Sequence, residues 1–291
     1  VYYYALANDL GVDAIHDFMK PLGFGQITGL DLKGEVRGVL PSQAWKRRAY
    51  KRPEQQRWYA GETISLGIGQ GYNSFTMLQL AQATAIVANR GVKHTPHLGL
   101  ATEDAITRLR QPLERPPGEP LGLNANHVEA VVKAMVGVTQ EGTSTRVFAG
   151  APYLSAGKTG TAQAVTMRAN EKYSAARLAE HQRDHSLYIA FAPRDNPRVA
   201  LAAIVENAGW GSAAAAPIAR RVLDYLLADQ YPSEEDIALV REGKSGGPPV
   251  GTPRRVADVP LPHANPVDLP LGLAPMPAAS AASAAASGAS R

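Results

Sequence analysis

The stretch Ser155-Ala-Gly-Lys-Thr-Gly-Thr-Ala-Gln163 gathers one lysine and three small hydroxyl side chains between glycines. Three chemistries use such residues. A phosphate-cradling loop needs G-x-x-x-x-G-K-[ST], so that a glycine-rich turn can aim backbone N–H groups at phosphate. Gly157-Lys158-Thr159 supplies its end, but the position five before Gly157 is Pro152, which has no N–H and cannot take a positive φ. The following "TAQAVTMR" reads as extended chain where that motif needs a helix. A second chemistry is a serine nucleophile with a lysine one helical turn later. Ser155 and Lys158 form a literal S-x-x-K, yet Gly157 inside the span and Gly160 after it argue against a helix. A third is a strand that grips a carboxylate. Lys158 brings positive charge, and Thr159 and Thr161 point to one face because residues i and i+2 of a strand do. Gly160 admits close approach of another backbone. An edge strand also offers free N–H and C=O groups to a peptide. A structural strand that merely contains these residues is the plain alternative. In the tail, "GKSGG" is a literal G-x-S-x-G with no strand or helix around it, and Ser245 is read as a chance match.

The elements around this stretch predict an α+β fold, an antiparallel sheet flanked by helices. "LYIAFAP" and "VALAAIVENAG" around "RDNP" predict a hairpin. "APIARRVLDYLLAD" predicts an amphipathic helix with Ile218, Val222, Tyr225 and Leu226 inward. A helix is predicted from Thr76 to Ala88, with Met77, Leu80, Ala81 and Thr84 at helical spacing, ended by Gly91. Before it, the segment bearing Gly67, Gly69 and Gly71 reads as a short extended piece. "NHVEAVVKAMVGV" places Val128, Val131, Val132 and Met135 on one buried face. Residues 1 to 22 predict two short helices broken at Gly11, with Ile15, Phe18 and Met19 together; "GFGQITGLDL" is a glycine-punctuated loop. "KHTPHLGL" is expected to be a strand and "QPLERPPGEP" a loop. The basic run 45–57, "WKRRAYKRPEQQR", is expected to be a solvated surface, the sharper reading being attraction to an anionic surface.

The chain has 291 residues, 45% hydrophobic, a formal net charge of +4 and no cysteine. That supports a sizeable core and excludes disulfides and thiolate metal sites. The charge suits an anionic partner but is too small to imply nucleic acid. No apolar run is long enough to span a bilayer. His181 and His185, at i and i+4 in a polar, helix-prone insert, could ligate a metal, though a solvated helix face is the expected role. His94 and His97 flank Pro96, and Glu206-Asn207 is read as a turn. No metal or other cofactor is expected. From about Gly243 the chain is Pro, Ala, Gly and Ser, so residues 231–291 are expected to form a disordered tail after a domain at 1–230.

"GKTGTAQ" (157–163) resembles the third motif of the penicillin-binding transpeptidases and serine β-lactamases. "GIGQGYNSFTMLQLAQATAIVANRG" (67–91), "YYYALANDLGVDAIHDFMKPLGFGQITGLDL" (2–32), "RWYAGETISLGIGQGY" and "RLAEHQRDHSLYIAFAP" (177–193) are similar to the class B, rod-elongation branch of that family. The resemblance covers about residues 1 to 230. It implies a D,D-transpeptidase that crosslinks peptidoglycan stem peptides through a serine acyl-enzyme and that binds β-lactams. It implies that Lys158 supplies positive potential, that the Thr159 and Thr161 hydroxyls bind the substrate carboxylate beside Gly160, and that the Thr161 N–H is an oxyanion donor. The family's S-x-N or S-x-D motif has no match here, and its S-x-x-K matches only the rejected Ser155. The expectation is therefore a piece of a longer protein that begins just after the second motif, without its nucleophile and inactive alone. The resemblance further implies an inner-membrane anchor with this domain in the periplasm, and work beside a glycan polymerase and rod-shape proteins. A β-lactamase, a carboxypeptidase, or a β-lactam-sensing or scaffold domain on the same fold are the competing readings.

Overall fold

The computed structural model describes residues 1–165 and 178–259. In chain order the elements are α1 (Tyr2–Leu10), α2 (Val12–Met19), α3 (Gln43–Ala49), α4 (Pro53–Gln56), α5 (Ala60–Leu66) and α6 (Met77–Ala88). Four short strands follow: β1 (Val92–Lys93), β2 (Ala101–Glu103), β3 (Arg110–Pro112) and β4 (Glu119–Pro120). Then come α7 (Ala125–Gln140), α8 (Thr145–Phe148), β5 (Ala156–Ala162), β6 (His185–Ala192) and β7 (Val199–Val205). The described chain ends with α9 (Ala215–Ala228), β8 (Gln230–Tyr231), α10 (Glu234–Arg241) and β9 (Arg254–Arg255).

The organising element is a three-stranded antiparallel sheet in the order β5-β6-β7. Its register sets Lys158 opposite Ile189 and Thr161 opposite Ser186, while Ser186 is opposite Val205. Alternation along β6 gives the sheet two apolar faces. Tyr188, Ala190 and Ala192 pack with Val147, Phe148 and the Ala215, Ala216, Ala219 and Leu223 stripe of α9. Ala156 and Phe191 face the other way, onto Ala88 of α6 and Val128, Val132 and Met135 of α7. The result is the expected α+β arrangement, helices on both sides of an antiparallel sheet. Among the described residues, no strand pairs with the far side of β5 or of β7.

Local rules account for the elements nearest the site. Gly11, at φ 76°, breaks α1 from α2 as expected. Thr76 caps α6 by accepting the Gln79 N–H at 3.2 Å, and Gln79 returns a bond to the Thr76 N–H at 3.0 Å. The buried Gln79 amide also donates to the Gln26 and Arg37 carbonyls, which pins the glycine-rich loop to α6.

Several expectations are corrected. The segment before Gly67 is a helix, α5, not extended chain; the Glu62 carboxylate accepts the Tyr59 N–H at 2.9 Å and starts it. Of "KHTPHLGL" only Lys93 is paired, and the loop "QPLERPPGEP" contributes residues to β3 and β4. Phe18 is exposed, and Val131 is half exposed because α7 meets the sheet only along Val128, Val132 and Met135. On α9 the inward face is the alanine stripe, while Ile218, Val222 and Leu226 are partly exposed. Small side chains let α9 approach the sheet closely, and the two arginines beside them are neutralised rather than solvated. Arg220 grips Asp224 at 2.8 and 2.9 Å. Arg221 holds the fully buried Asp236 at 2.5 and 2.6 Å. That second pair carries structure beyond residue 230, where a tail was expected: α10 is held to α9 by Arg221 and Asp236, and β8, paired with β9, packs on α9 as well. Residues 260–291, the rest of the expected tail, lie outside the described residues. So does most of the helix-prone insert; its described end holds His181 in a single 3₁₀ turn and His185 in β6, so the two share no helix face.

Candidate functional site

Lys158, Thr159, Gly160 and Thr161 all lie on β5, the outer strand of the described sheet. They line a cleft of about 550 Å³ shared with Gln70, Phe75 and His185. Register with β6 puts Thr159 and Thr161 on the face of Tyr188 and Ser186, and Lys158 and Gly160 on the face of Ile189 and Leu187. The predicted residues are thus brought to one edge, hydroxyls on one face and the ammonium on the other. Lys158 Nζ is exposed and donates to the Thr159 carbonyl at 2.7 Å. Thr159 Oγ1 lies 3.1 Å from Thr143 Oγ1, in the turn after α7. In an antiparallel ladder the N–H and C=O of one residue point to the same side, alternating along the strand. The Thr161 carbonyl is met by Gln70 from outside the sheet, and the Thr159 carbonyl by the neighbouring Lys158 of β5 itself. The N–H and C=O of these two residues therefore face outward, where another strand could add.

Residues with no chemical signature hold this edge in place. A Cβ at Gly157 would sit 2.2 Å from the Tyr188 hydroxyl, so glycine is what admits the ring under β5. That hydroxyl bonds Ser144 at 2.9 Å, and burial pushes its pKa up to about 12. Ser186, buried opposite Thr161, donates to the Trp210 carbonyl at 2.9 Å and accepts the Ala215 N–H at 3.0 Å. Gly211 then lies directly on the strand pair: a Cβ there would be 2.6 Å from the Gly160 carbonyl. The close approach expected at Gly160 is thus already filled on one side by the chain's own loop, and Gly211 makes it possible. Asn207, at φ 57°, sits in the turn expected there and donates its N–H to His185 Nδ1 at 3.0 Å.

Ser155, set aside on the sequence as a nucleophile, does not meet Lys158. It is buried, its carbonyl accepts from Thr139 at 2.8 Å, and Lys158 follows it into a strand rather than a helix. Three residues along a strand put the two side chains on opposite faces. Ser245 lies in irregular chain, as expected.

Across the cleft, α5 and the loop after it are anchored by a buried lysine. Lys46, in the run expected to be solvated, is only 3% exposed. Its ammonium pairs with Glu62 and lies 5.4, 5.3 and 5.4 Å from the rings of Trp58, Tyr59 and Tyr72. Burial opposes ionisation of Glu62, yet bonds from Lys46, the Tyr59 N–H and the Tyr72 hydroxyl hold its carboxyl below the ordinary value. This anchored loop presents Gln70, whose amide donates to the Thr161 carbonyl at 2.9 Å. Among the described residues no cluster of His, Cys, Asp or Glu could hold a metal ion.

Residues 1–224 match the transpeptidase domain of penicillin binding proteins. The chain belongs to this family. It is 43% identical over 239 residues to the peptidoglycan D,D-transpeptidase MrdA of Haemophilus influenzae, covering 80% of this chain and 36% of that protein. A solved structure of Pseudomonas aeruginosa PBP2 in complex with WCK 5153 superposes with a TM-score of 0.63 at 39% identity, over 78% of this chain and 46% of that one. The Helicobacter pylori PBP2 in its complex with MreC gives a TM-score of 0.55 at 28% identity, over 71% of this chain and 34% of that one. The chain spans about a third of the length of the curated relatives it matches. No helix among the described residues is long and apolar enough to cross a membrane.

Sequence reasoning pointed to the Lys158–Thr161 edge but missed Gln70, Thr143, Ser186, Gly211 and the Lys46 cluster. Gly-Trp-Gly at 209–211 marks a loop, but nothing in it tells the tightly packed Gly211 from the open Gly209. Nothing in the local sequence announces Gln70, whose contact spans 91 positions.

Proposed function

We propose that residues 1–230 are the C-terminal part of a transpeptidase domain and form the substrate-gripping side of a peptidoglycan D,D-transpeptidase. The observation that carries this reading is a cationic, hydroxyl-bearing strand edge, unpaired among the described residues, lining a cleft. A stem peptide ending in D-Ala-D-Ala would add to the outer edge of β5, with its terminal carboxylate held by Lys158 and by the Thr159 and Thr161 hydroxyls. Lys158 would exchange its bond to the Thr159 carbonyl for the carboxylate, and Gly160 would leave the strand surface clear. In the reaction a serine alkoxide adds to the penultimate D-Ala carbonyl, and the Thr161 N–H donates to the developing oxyanion. Collapse expels D-Ala and leaves an acyl-serine, which an amine from a neighbouring stem then takes up as a new amide. β-Lactams enter by the same route, the ring opening on the serine. The chain holds no S-x-x-K other than the one at Ser155, so this reading gives it no attacking serine of its own. A membrane anchor, a periplasmic setting and partners of the MreC and glycan-polymerase kind belong to the same proposal, supported by the likeness to MrdA and PBP2 proteins.

The test is NMR titration of the 291-residue chain with a short N-acylated peptide ending in D-Ala-D-Ala, and with the same peptide amidated at its C-terminus. The free acid should bind about tenfold more tightly, because charge-assisted bonds at an exposed site are worth on the order of 1–2 kcal/mol. Lys158→Ala should abolish the difference. A fluorescent penicillin should leave no covalent adduct on this chain. Equal binding of acid and amide, or labelling at Ser155, would overturn the reading.

A further inference from the structure

Gln70 stands out because its side chain does what a bound peptide would do. On the outer edge of β5 the Thr161 carbonyl is an acceptor for an added strand, and the Gln70 amide already donates to it at 2.9 Å. Two residues earlier the Thr159 carbonyl is met by Lys158 at 2.7 Å. Carbonyls two residues apart on a strand repeat at about 6.6 Å, the spacing at which the N–H groups of an incoming strand recur. Both acceptors of the resting edge are therefore occupied by the chain's own side chains. Free strand edges invite promiscuous pairing, and a side-chain donor over the carbonyl blunts that tendency.

The loop is built so that the side chain can leave without the backbone following. Gly69 and Gly71, at φ 78° and 72°, turn the chain on either side of Gln70. The Gly69 N–H bonds the Leu66 carbonyl at 2.9 Å and the Gln70 N–H bonds the Ser65 carbonyl at 3.0 Å. Behind them the Lys46–Glu62–Tyr72 cluster fixes α5 and the end of the loop. The bond to Thr161 is solvent-accessible, so water can replace either partner as it opens.

We propose that Gln70 is a displaceable cap on the peptide-binding edge and thereby a specificity-determining residue. An incoming strand must exchange the Gln70–Thr161 bond for one from its own N–H, so ligands with no N–H to offer that carbonyl are penalised. This inference rests on the function proposed above.

The test uses the same D-Ala-D-Ala peptide on the wild-type chain and on Gln70→Ala and Gln70→Asn. Asparagine keeps the amide but is one methylene too short to reach. A net exposed hydrogen bond sets the expected scale, and both variants should bind the peptide about two- to tenfold more tightly than wild type. In wild type, the side-chain NH₂ resonances of Gln70 should shift toward free-amide positions as the peptide saturates the site. Unchanged or weaker binding by both variants, or Gln70 resonances that do not move at saturation, would overturn the cap while leaving the site itself standing. Binding by none of the three proteins would overturn the proposed function and the cap with it.

Discussion

Replacing Gly211 by alanine asks how firmly the loop after β7 is pressed onto the candidate site. The added methyl carbon would lie 2.4 Å from the Leu187 carbonyl oxygen, 2.6 Å from that of Gly160 and 2.9 Å from the Gly160 nitrogen. All three are backbone atoms and cannot swing aside. Carbon–oxygen contacts close to about 3.3 Å, so loop or strand must yield by roughly 1 Å. The Ser186–Trp210 bond of 2.9 Å and the Ala215–Ser186 bond of 3.0 Å cross that same seam. Leaving a buried hydrogen-bonding group unsatisfied costs about 1–3 kcal/mol, and forcing a methyl into a packed site costs about 1–3 kcal/mol more. Gly211→Ala should therefore lose about 2–6 kcal/mol in urea unfolding, and its melting temperature should fall by roughly 5–20 °C. Gly209→Ala is the control. Its Cβ would meet nothing within 4 Å, but its φ is 75°, so only the left-handed penalty of about 1–2 kcal/mol applies. Amide exchange at Thr161 and Ser186 should accelerate in Gly211→Ala and not in the control. A Gly211→Ala protein no less stable than Gly209→Ala, with β5 exchange unchanged, would refute the reasoning.

Three further outcomes follow from the buried polar groups. Arg221→Ala strands the buried Asp236 and should cost about 3–5 kcal/mol in denaturant unfolding, whereas Arg221→Met with Asp236→Leu should recover most of the loss. The Glu62 carboxyl is held below its ordinary value of 4.5, so its contribution is complete above that pH and disappears as pH falls through the lowered folded-state value. The melting-temperature advantage of wild type over Glu62→Gln should accordingly be flat from neutral pH down to 4.5 and shrink in more acid buffer. Tyr188→Phe should cost only about 1 kcal/mol by chemical denaturation, because Ser144 still donates to the Val138 carbonyl at 3.1 Å.

How much of this was legible in the sequence depended on where apolar periodicity coincided with burial. The β6–β7 hairpin and α7 announced themselves because apolar residues make up their inward faces, and α6 because its helical spacing holds even though Gln79, Gln82 and Thr84 are among its buried residues. On α9 the same logic failed. Arg220 and Arg221 are charge-paired and buried, and alanines rather than Ile218 and Val222 make the contact. Lys46 failed for the same reason: its aromatic and acidic partners lie 12 to 26 positions away, beyond any local window. The Lys158–Thr161 edge was readable because its hydroxyls alternate on one strand. The residues that brace it are glycines and serines whose meaning comes only from what packs against them.

The far side of β7, which no strand among the described residues pairs, has a consequence for the protein in a test tube. Its seven residues, Val199 to Val205, are all valine, alanine, leucine or isoleucine, with no charge or proline to discourage a neighbour. Two molecules meeting along that margin can knit their sheets into one ribbon six strands wide. Turbidity and light scattering in concentrated stocks then report a property of this border, and a lysine placed mid-strand is the simplest way to keep such stocks clear.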